Sequence, residues 1–433
     1  MEIVPEKVPL IDLSRPLFGS WKIYIERCCL LALRAIKASF MRIPPRVQPA
    51  TSKLADVTND GARARNICYL AGSSGDWGGA SRVLFSNLEM LNRVHYRPIV
   101  LLPSPGPIEP RLKRLGIRYE IWGKDHEPDG KLQYVVDILR VARFFKRNHV
   151  ELLHINHAGY WRPAEVLAAK MARIPIVTHY HRTIREPGPF VKYSSLILAV
   201  SEYTANHSEP RSAPKVVIHN SVQLDRFDQA RDVRNEFGLG ESDVVVSFVG
   251  QIRTIKGIDL FIEMAHRIPG RGIKFLIVGE CRDPGKFEGS YTEERLRAEI
   301  GSDERIRYVG YRSDVENVYR SSDIIVMPSR WGEPFGLINI EAGAARKPIV
   351  STRDGGIPEI ICDGENGLLV EPNDLDGLIR CATLLIEDKA LRLRMGQRAR
   401  EIVERRFTEL PIRMLEQAYD GLIRRGVAAD LPN

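Results

Sequence analysis

Short apolar runs alternate with amphipathic helical segments from about residue 65 to the C-terminus. Each run is four to six residues long and rich in apolar and β-branched side chains, which is typical of a buried strand. We predict two successive series of strands, at residues 67–71, 98–102, 117–121, 151–155, 175–179 and 195–200, and at 244–249, 274–278, 306–309, 323–327 and 348–351. Such alternation favours an α/β fold with parallel, doubly wound sheets.

The two series indicate two Rossmann-like domains. A polar stretch interrupts the pattern between residues 219 and 241, where we expect the domain boundary. We therefore assign residues 62–225 to a first domain, 226–409 to a second domain and 410–433 to a C-terminal helix. A chain of 433 residues is long enough for two domains of ordinary size.

Residues 1–61 form an N-terminal extension in which prolines surround one predicted amphipathic helix at residues 20–40. This helix carries too many charges to span a bilayer. One interpretation is a helix that contacts a membrane surface peripherally, and the other is a helix that packs on the protein itself or on a second subunit.

The charge and cysteine content limit the partners of the chain. A net charge of +8 and a pI near 9.1 suit a phosphate-bearing ligand or an anionic membrane surface. Neither a zinc-finger spacing nor an RNP-type aromatic motif is present, so we expect no nucleic-acid partner. The six cysteines form no C-x-x-C pair, which favours a cytoplasmic protein. If residues 20–40 bind a membrane, we expect the protein at its inner face.

The richest motif spans residues 328–359. After the predicted strand at 323–327, the segment Glu333-Pro334-Phe335-Gly336 continues neither a strand nor a helix, and a helix is predicted to begin at Gly336 or Leu337. The first backbone N–H groups of that helix can hold an anionic group.

Two carboxylates, Glu333 and Glu341, are predicted to flank these N–H groups. Carboxylates only accept hydrogen bonds, so they suit vicinal sugar hydroxyls and would repel the phosphate itself. The alternative is that Glu333 caps the helix and that Glu341 is exposed to solvent.

Glu333 and Glu341 are separated by seven residues around Pro-Phe-Gly-Leu, and this pair resembles the E-x7-E motif of retaining glycosyltransferase family four. The segments 355–359 and 367–370 continue the pattern of that family in order. The resemblance implies the GT-B fold, in which an N-terminal acceptor domain and a C-terminal donor domain face a cleft. It also implies that residues 410–425 cross back onto the first domain.

The resemblance implies roles in binding a nucleoside diphosphate sugar. Glu341 would hold the ribose hydroxyls, and Glu333 would hold hydroxyls of the donor sugar. The diphosphate would contact the backbone N–H groups of Phe335, Gly336 and Leu337.

The same resemblance points to cations that clamp the diphosphate. Lys256 matches one of them, and the place of the family's arginine is taken by Gln251, which leaves Arg253 as its candidate replacement. A surface lysine at a helix start is the alternative for Lys256, and it is disfavoured because a cation is unfavourable at the positive end of a helix.

Two glycine loops resemble parts of the family's donor site. Gly310 would border the nucleotide base, while Gly78 and Gly79 would lie near the donor phosphates and the acceptor. The alternative for Gly78 and Gly79 is a tight strand-to-helix turn with no ligand, since such turns need glycine as well.

A histidine that family members often carry near the transferred sugar is replaced here by Asn156. Asparagine can bond a sugar hydroxyl but cannot take a proton at neutral pH. His157, His179 or His181 is an alternative cleft residue, and each is also open to a purely structural role.

The predicted function is retaining transfer of a hexose-type sugar from a nucleoside diphosphate to a sugar or lipid-linked acceptor, in polysaccharide or glycolipid biosynthesis. We expect neither a metal nor a further cofactor, because Lys256 and the helix N–H groups would stabilise the leaving diphosphate. The alternatives are another reaction on this fold, a non-catalytic nucleotide-sugar-binding protein and a membrane-recruited scaffold.

Overall fold

The computed structural model describes residues 63–75, 78–122, 131–156, 163–210, 214–285 and 287–428. These residues form two α/β domains, each built on one parallel sheet. The predicted extension, its helix at residues 20–40 and His157 lie outside the described residues. Among the helices of the described ranges, none is both long and apolar enough to cross a membrane.

The first domain contains a sheet of seven parallel strands. They are β1 (Arg65–Leu70), β2 (Tyr96–Leu102), β3 (Arg118–Ile121), β4 (Val150–Ile155), β5 (Ile176–Tyr180), β6 (Leu196–Ala199) and β7 (Lys215–Val217). Their spatial order is β3-β2-β1-β4-β5-β6-β7, so the direction of winding reverses between β1 and β4. The central strands are apolar on both faces because helices cover both faces.

Helices pack on the two faces of this sheet in separate layers. The helices of the first domain are α1 (Gly79–Met90), α2 (Glu109–Arg114), α3 (Lys131–Arg147), α4 (Pro163–Met171) and α5 (Glu202–Asn206). Apolar side chains of α1 and α2 pack against one face, and those of α3 and α4 pack against the other.

The second domain contains a sheet of six parallel strands. They are β8 (Val244–Val249), β9 (Ile273–Val278), β10 (Ile306–Tyr308), β11 (Ile324–Met327), β12 (Ile349–Thr352) and β13 (Leu368–Val370). Their order is β10-β9-β8-β11-β12-β13, which reverses between β8 and β11.

The helices of this part of the chain also form two layers. They are α6 (Asp225–Asp228), α7 (Ile258–Arg267), α8 (Glu293–Ile300), α9 (Val315–Ser321), α10 (Leu337–Ala344), α11 (Leu375–Glu387), α12 (Lys389–Arg406) and α13 (Glu409–Ala428). Helices α9, α10 and α12 pack on one face of the second sheet, whereas α7, α8 and α11 pack on the other.

The final helix, α13, packs on the first domain, although it follows the second domain in the sequence. Its buried residues Leu415, Tyr419 and Ile423 join the apolar layer that covers the first sheet. The Tyr419 hydroxyl lies 2.9 Å from the Tyr69 hydroxyl and 2.6 Å from Nδ1 of His154. The helix therefore completes the core of the first domain.

The structure confirms the predicted fold class of two doubly wound, parallel-sheet domains. Two strands, β7 and β13, were not predicted from the sequence. Each is three residues long and lies at an edge of its sheet, so neither is long enough to show a periodic apolar pattern.

Candidate active site

A cleft of about 400 Å³ lies between the carboxyl ends of the two sheets. Parallel sheets commonly bind ligands where the strand order reverses, because loops that leave neighbouring strands in opposite directions open a crevice there. The reversals lie between β1 and β4 and between β8 and β11. The loops after these four strands contain Gly78, Asn156, Lys256 and Glu333. The predicted site residues are thus concentrated at both reversals.

Glu333 lines the cleft, and only 8% of its surface is exposed. Its Oε2 atom accepts hydrogen bonds from Lys256 Nζ at 2.5 Å, Trp331 Nε1 at 3.1 Å and Ser329 Oγ at 3.2 Å. Since all three contacts reach the same oxygen, Oε1 is the atom that is better placed for a ligand hydroxyl. Burial together with these donors fixes the orientation of the carboxylate.

Two glycines shape the chain around Glu333, one before α10 and one after β12. Gly336 precedes the helix with a φ of 84°, a left-handed conformation that glycine adopts without strain. A Cβ atom at Gly355 would lie 2.2 Å from the Glu333 carbonyl oxygen, so only glycine fits there. The N-cap residue of α10 is Gly336, and the hydrogen bonds of the Glu333 carboxylate come from the side chains of Lys256, Ser329 and Trp331, so Glu333 does not cap the helix.

Glu341 lies one turn into α10 and is 8% exposed, so the alternative of a solvent-exposed carboxylate is wrong. Its Oε1 atom accepts a hydrogen bond from Arg82 Nη1 at 2.8 Å, and its Oε2 atom accepts one from the Tyr319 hydroxyl at 2.8 Å. Arg82 belongs to α1 of the first domain. The ion pair therefore joins the two domains across the site.

Lys256 is held against Glu333 by a tight approach of two loops. The residue ends a 3₁₀ turn, Thr254–Lys256, and Gly257 follows with a φ of 75°. A Cβ atom at Gly257 would lie 2.0 Å from the Pro328 carbonyl oxygen, so glycine allows the loop after β8 to touch the end of β11. The Lys256 ammonium also lies 5.1 Å from the centre of the Trp331 ring, where cation–π attraction favours it.

Arg253 lies at the rim of the site, whereas Gly310 does not line the cleft itself. Arg253 lines the cleft while its Nη2 atom donates to the Glu288 carbonyl at 2.6 Å. Gly310 has a φ of 77°, and its carbonyl accepts from Gly279 N at 2.9 Å. The residue after it, Tyr311, lines the cleft and is 58% exposed. Gly310 thus turns the chain so that Tyr311 faces the cleft.

The first domain contributes a glycine-containing loop that lines the cleft opposite α10. Gly78 has a φ of 93° and immediately precedes α1, and both Gly78 and Gly79 line the cleft. A Cβ atom at Gly79 would lie 3.8 Å from Cδ1 of Leu337, at the first turn of α10. The glycine loop and the helix start therefore face each other across the cleft.

Asn156 lies behind His181, and it is His181 that lines the cleft. The Asn156 side chain is 2% exposed, and its Nδ2 donates to the Ala80 carbonyl at 3.0 Å. That bond turns Oδ1 toward His181 Nε2, 3.2 Å away, so Nε2 carries the proton. His154 and His179 are fully buried, and burial lowers the pKa of both.

The cleft is strongly basic. Its acidic lining residues are Glu280 and Glu333, and they are outnumbered by the cationic ones. The cationic lining residues are Arg82, Arg182, Arg253, Lys256, Arg282 and Arg312. Such a surplus attracts an anionic ligand such as a diphosphate. Across the described residues, no group of three or more His, Cys, Asp or Glu side chains is arranged to hold a metal ion.

Two family profiles match successive parts of the chain. The profile "Glycosyltransferase Family 4" matches residues 77–226, and the profile "Glycosyl transferases group 1" matches residues 229–402. The chain belongs to this glycosyltransferase family.

Curated relatives match the glycosyltransferase over different lengths. D-inositol 3-phosphate glycosyltransferase of Corynebacterium efficiens is 38% identical over 174 residues, which cover 39% of this chain and only 40% of that protein. N-acetyl-alpha-D-glucosaminyl L-malate synthase of Bacillus anthracis is 28% identical over 306 residues, which cover 66% of this chain and 78% of that protein.

Solved structures confirm the GT-B fold of the glycosyltransferase. A glycosyltransferase from Rickettsia africae superposes with a TM-score of 0.71 at 21% identity and covers 83% of this chain and 99% of that one. Anabaena HepE in complex with UDP and glucose superposes with a TM-score of 0.69 at 21% identity and covers 82% of this chain and 100% of that one.

Three cleft or site residues of the glycosyltransferase were not predicted from the sequence: Arg82, Tyr319 and Trp331. His181, one of the predicted alternatives, is the histidine that lines the cleft in front of Asn156. Arg82 lies one helical turn after Gly79, and Trp331 lies two residues before Glu333, so proximity to the motifs was an available signal. Tyr319 gives no such signal, because it lies 22 residues before Glu341.

The segment 355–359 ties the two domains of the glycosyltransferase together. The Glu359 carboxylate accepts hydrogen bonds from the backbone N–H groups of Glu202 and Tyr203, each at 2.9 Å, and contacts His219 Nε2 at 3.0 Å. These bonds hold the pKa of Glu359 below its usual value despite its burial. The Pro334 carbonyl accepts hydrogen bonds from the hydroxyls of Ser201 and Thr204. The segments that contain Pro334 and Glu359 are thus anchored directly on the first domain.

Proposed function

We propose that this glycosyltransferase moves a sugar from a nucleoside diphosphate to an acceptor hydroxyl with retention of configuration. The observation that carries the proposal is the placement of Glu333 and Glu341 on either side of the start of α10, with Lys256 beside Glu333. The donor class is supported by the similar fold of Anabaena HepE, whose structures include complexes with UDP and with UDP-glucose.

In the proposed complex, the diphosphate lies between Lys256 and the start of α10. The first backbone N–H groups of a helix have no partner within it, and the helix dipole is positive there. An anion at this position would therefore receive hydrogen bonds from the N–H groups of Phe335, Gly336 and Leu337. Arg253, on the rim, would add a second cation.

Transfer breaks the bond between the anomeric carbon and the diphosphate oxygen and forms a bond to the acceptor oxygen. The negative charge that develops on the diphosphate would be stabilised by Lys256 and the helix N–H groups, without further reorganisation of the site. The acceptor would attack from the face that the diphosphate leaves, and a diphosphate oxygen would take its proton. Glu333 Oε1 would hold a hydroxyl of the donor sugar.

Asn156 and His181 complete the proposed sugar site on the first domain. Because Asn156 bonds both the Ala80 carbonyl and His181, it holds the imidazole ring at the cleft wall. Asn156 would thus act through His181, which would present its ring to the transferred sugar.

The proposed acceptor site is a groove of about 490 Å³ beside the donor cleft. Arg182 and Trp331 line both the cleft and the groove. Arg185 and Tyr203 line the groove but not the cleft. Two relatives carry anionic compounds in their names, inositol 3-phosphate and L-malate. The two arginines suit an acceptor that carries phosphate or carboxylate, including a lipid-linked sugar phosphate of cell-surface biosynthesis. Membrane contact through residues 20–40 stays a prediction.

The test combines product analysis with two variants. The protein is incubated with UDP-, GDP- and ADP-sugars and anionic acceptors, and NMR of the product determines the anomeric configuration. Glu341→Ala should weaken binding of the nucleoside diphosphate, whereas Glu333→Ala should reduce transfer more than it reduces that binding.

Glu365→Ala is the matched control, because Glu365 is an exposed carboxylate of the same domain that pairs with Arg398. An inverted product, or equal and negligible effects of the Glu333 and Glu341 variants, would contradict the proposal. Nucleotide binding with neither transfer nor donor hydrolysis would instead favour a non-catalytic nucleotide-sugar-binding protein.

A further inference from the structure

The carboxylate of Glu341 is held by one residue from each domain. Arg82, on α1, donates to Oε1 at 2.8 Å, and Tyr319, on α9, donates to Oε2 at 2.8 Å. Arg82 and Glu341 are 259 residues apart in the sequence. The geometry of the carboxylate therefore depends on the relative position of the two domains.

Both donors keep their protons. Burial raises the pKa of the Tyr319 hydroxyl, and the neighbouring Glu341 raises it further. The Glu341 carboxylate likewise raises the pKa of Arg82, which keeps the guanidinium charged. Each carboxylate oxygen therefore receives one fixed hydrogen bond.

A carboxylate has about four acceptor positions, two on each oxygen. With Arg82 and Tyr319 in place, about one position remains on each oxygen of Glu341. Two free positions on adjacent oxygens match the two vicinal hydroxyls of a ribose ring. Rotation of the carboxylate would misdirect them, and the two donors prevent that rotation.

Arg82 also lies at the boundary between two spaces. It lines the main cleft, and together with Glu341 it lines a smaller adjoining cavity of about 100 Å³. Val83, Tyr311 and Leu337 also line both spaces. Glu341 lines the smaller cavity and not the main cleft, so a ligand in the cleft would have to extend its ribose into that cavity, beside Arg82, to reach the carboxylate.

We propose that Arg82, with Tyr319, is a positioning residue that aims the Glu341 carboxylate at the ribose hydroxyls of the donor. The inference rests on the proposed function, in which Glu341 binds the ribose. It goes further in making ribose recognition depend on a side chain of the acceptor domain. Domain arrangement and donor recognition are then coupled through one ion pair.

The test is isothermal titration calorimetry with UDP, GDP and ADP and their 2′-deoxy forms. The wild type should prefer the ribonucleotide by about 10- to 100-fold, as expected for one hydrogen bond to a charged group. In Arg82→Ala and in Tyr319→Phe this preference should fall to about threefold or less. Arg82→Lys keeps a cation and should recover part of the preference. A role in folding alone would weaken both nucleotide forms equally and leave the preference unchanged.

Arg226→Ala is the matched control. Arg226 lines the same small cavity but pairs with Glu316, so this variant removes one positive charge near the site without touching Glu341. Its ribose preference should equal that of the wild type. Arg82 is 41% exposed, so Arg82→Ala leaves no buried cavity that would prevent folding.

The outcomes separate the inference from the function on which it rests. If the wild type binds none of these nucleotides, the donor assignment and the inference both fail. If the wild type prefers ribonucleotides and the Arg82 and Tyr319 variants keep that preference, only the inference fails. Tighter ribonucleotide binding by Arg82→Ala would also overturn it, because Arg82 would then compete with the ribose for Glu341.

Discussion

Replacing Tyr419 with phenylalanine tests how strongly the final helix is bound to the first domain. The change removes one oxygen atom from a fully buried side chain on α13. That oxygen lies 2.9 Å from the Tyr69 hydroxyl and 2.6 Å from His154 Nδ1, and both partners are also fully buried. The variant keeps the ring and its packing, so the loss of hydrogen bonding dominates its effect.

The expected cost follows from the two groups that lose their partner. Leaving a buried polar group unsatisfied costs about 1–3 kcal/mol, so two such groups cost about 2–6 kcal/mol. A loss of about 4 kcal/mol corresponds to a fall in melting temperature of about 8–16 °C for a domain of this size. We expect this loss in the transition that unfolds the first domain.

Differential scanning calorimetry is the assay, with Tyr69→Phe and the double variant Tyr69→Phe/Tyr419→Phe as controls. In the double variant the Tyr69 hydroxyl is gone, so His154 Nδ1 alone lacks a partner. The double variant should therefore be more stable than Tyr419→Phe alone. The reasoning is refuted if Tyr419→Phe melts within about 2 °C of the wild type, a change of roughly 1 kcal/mol or less. Strictly additive costs of the two changes would refute it as well.

Two further predictions concern charge. Lys256→Ala should lower the rate of transfer by about 100- to 1000-fold, because it removes the cation that lies beside Glu333 and the leaving diphosphate. Steady-state kinetics measures this rate, and an unchanged rate would exclude Lys256 from the site. Burial lowers the pKa of His154 to about 3, below the value of about 6.5 in an unfolded chain. At pH values between these two pKa values, His154 is protonated in the unfolded chain but not in the folded protein. The free energy of unfolding should therefore fall by about 1.4 kcal/mol per pH unit as the pH decreases from about 6 to 4. Calorimetry across this range should show a smaller slope for His154→Gln than for the wild type.

The sequence was sufficient to predict the fold class and the convergence of the main motifs. Buried parallel strands are apolar on both faces, so their runs are visible without any alignment. The carboxyl ends of strands meet at one edge of each sheet, so residues that follow β8 and β11 had to lie near each other. Lys256 and Glu333 follow these strands and are in contact at 2.5 Å.

The contacts between domains were beyond prediction from the sequence. The pairing of Arg82 with Glu341 depends on how two separately folded units dock, and no local pattern encodes that docking. Similarly, Asn156 was expected to face the sugar, whereas the structure places His181 in front of it. Adjacent strands end at slightly different heights, and the spacing within one strand does not reveal this offset.

The position of α13 has a consequence for the synthesis of the chain. Strand β7 ends at Val217 and α13 begins at Glu409, so roughly 190 residues are translated between the last strand of the first sheet and the helix that completes its core. At ribosomal rates of about 5–20 residues per second, the first domain waits about 10–40 s with the docking surface for Tyr419 uncovered. The second domain can fold during that interval, so the domain made first is the last to be completed.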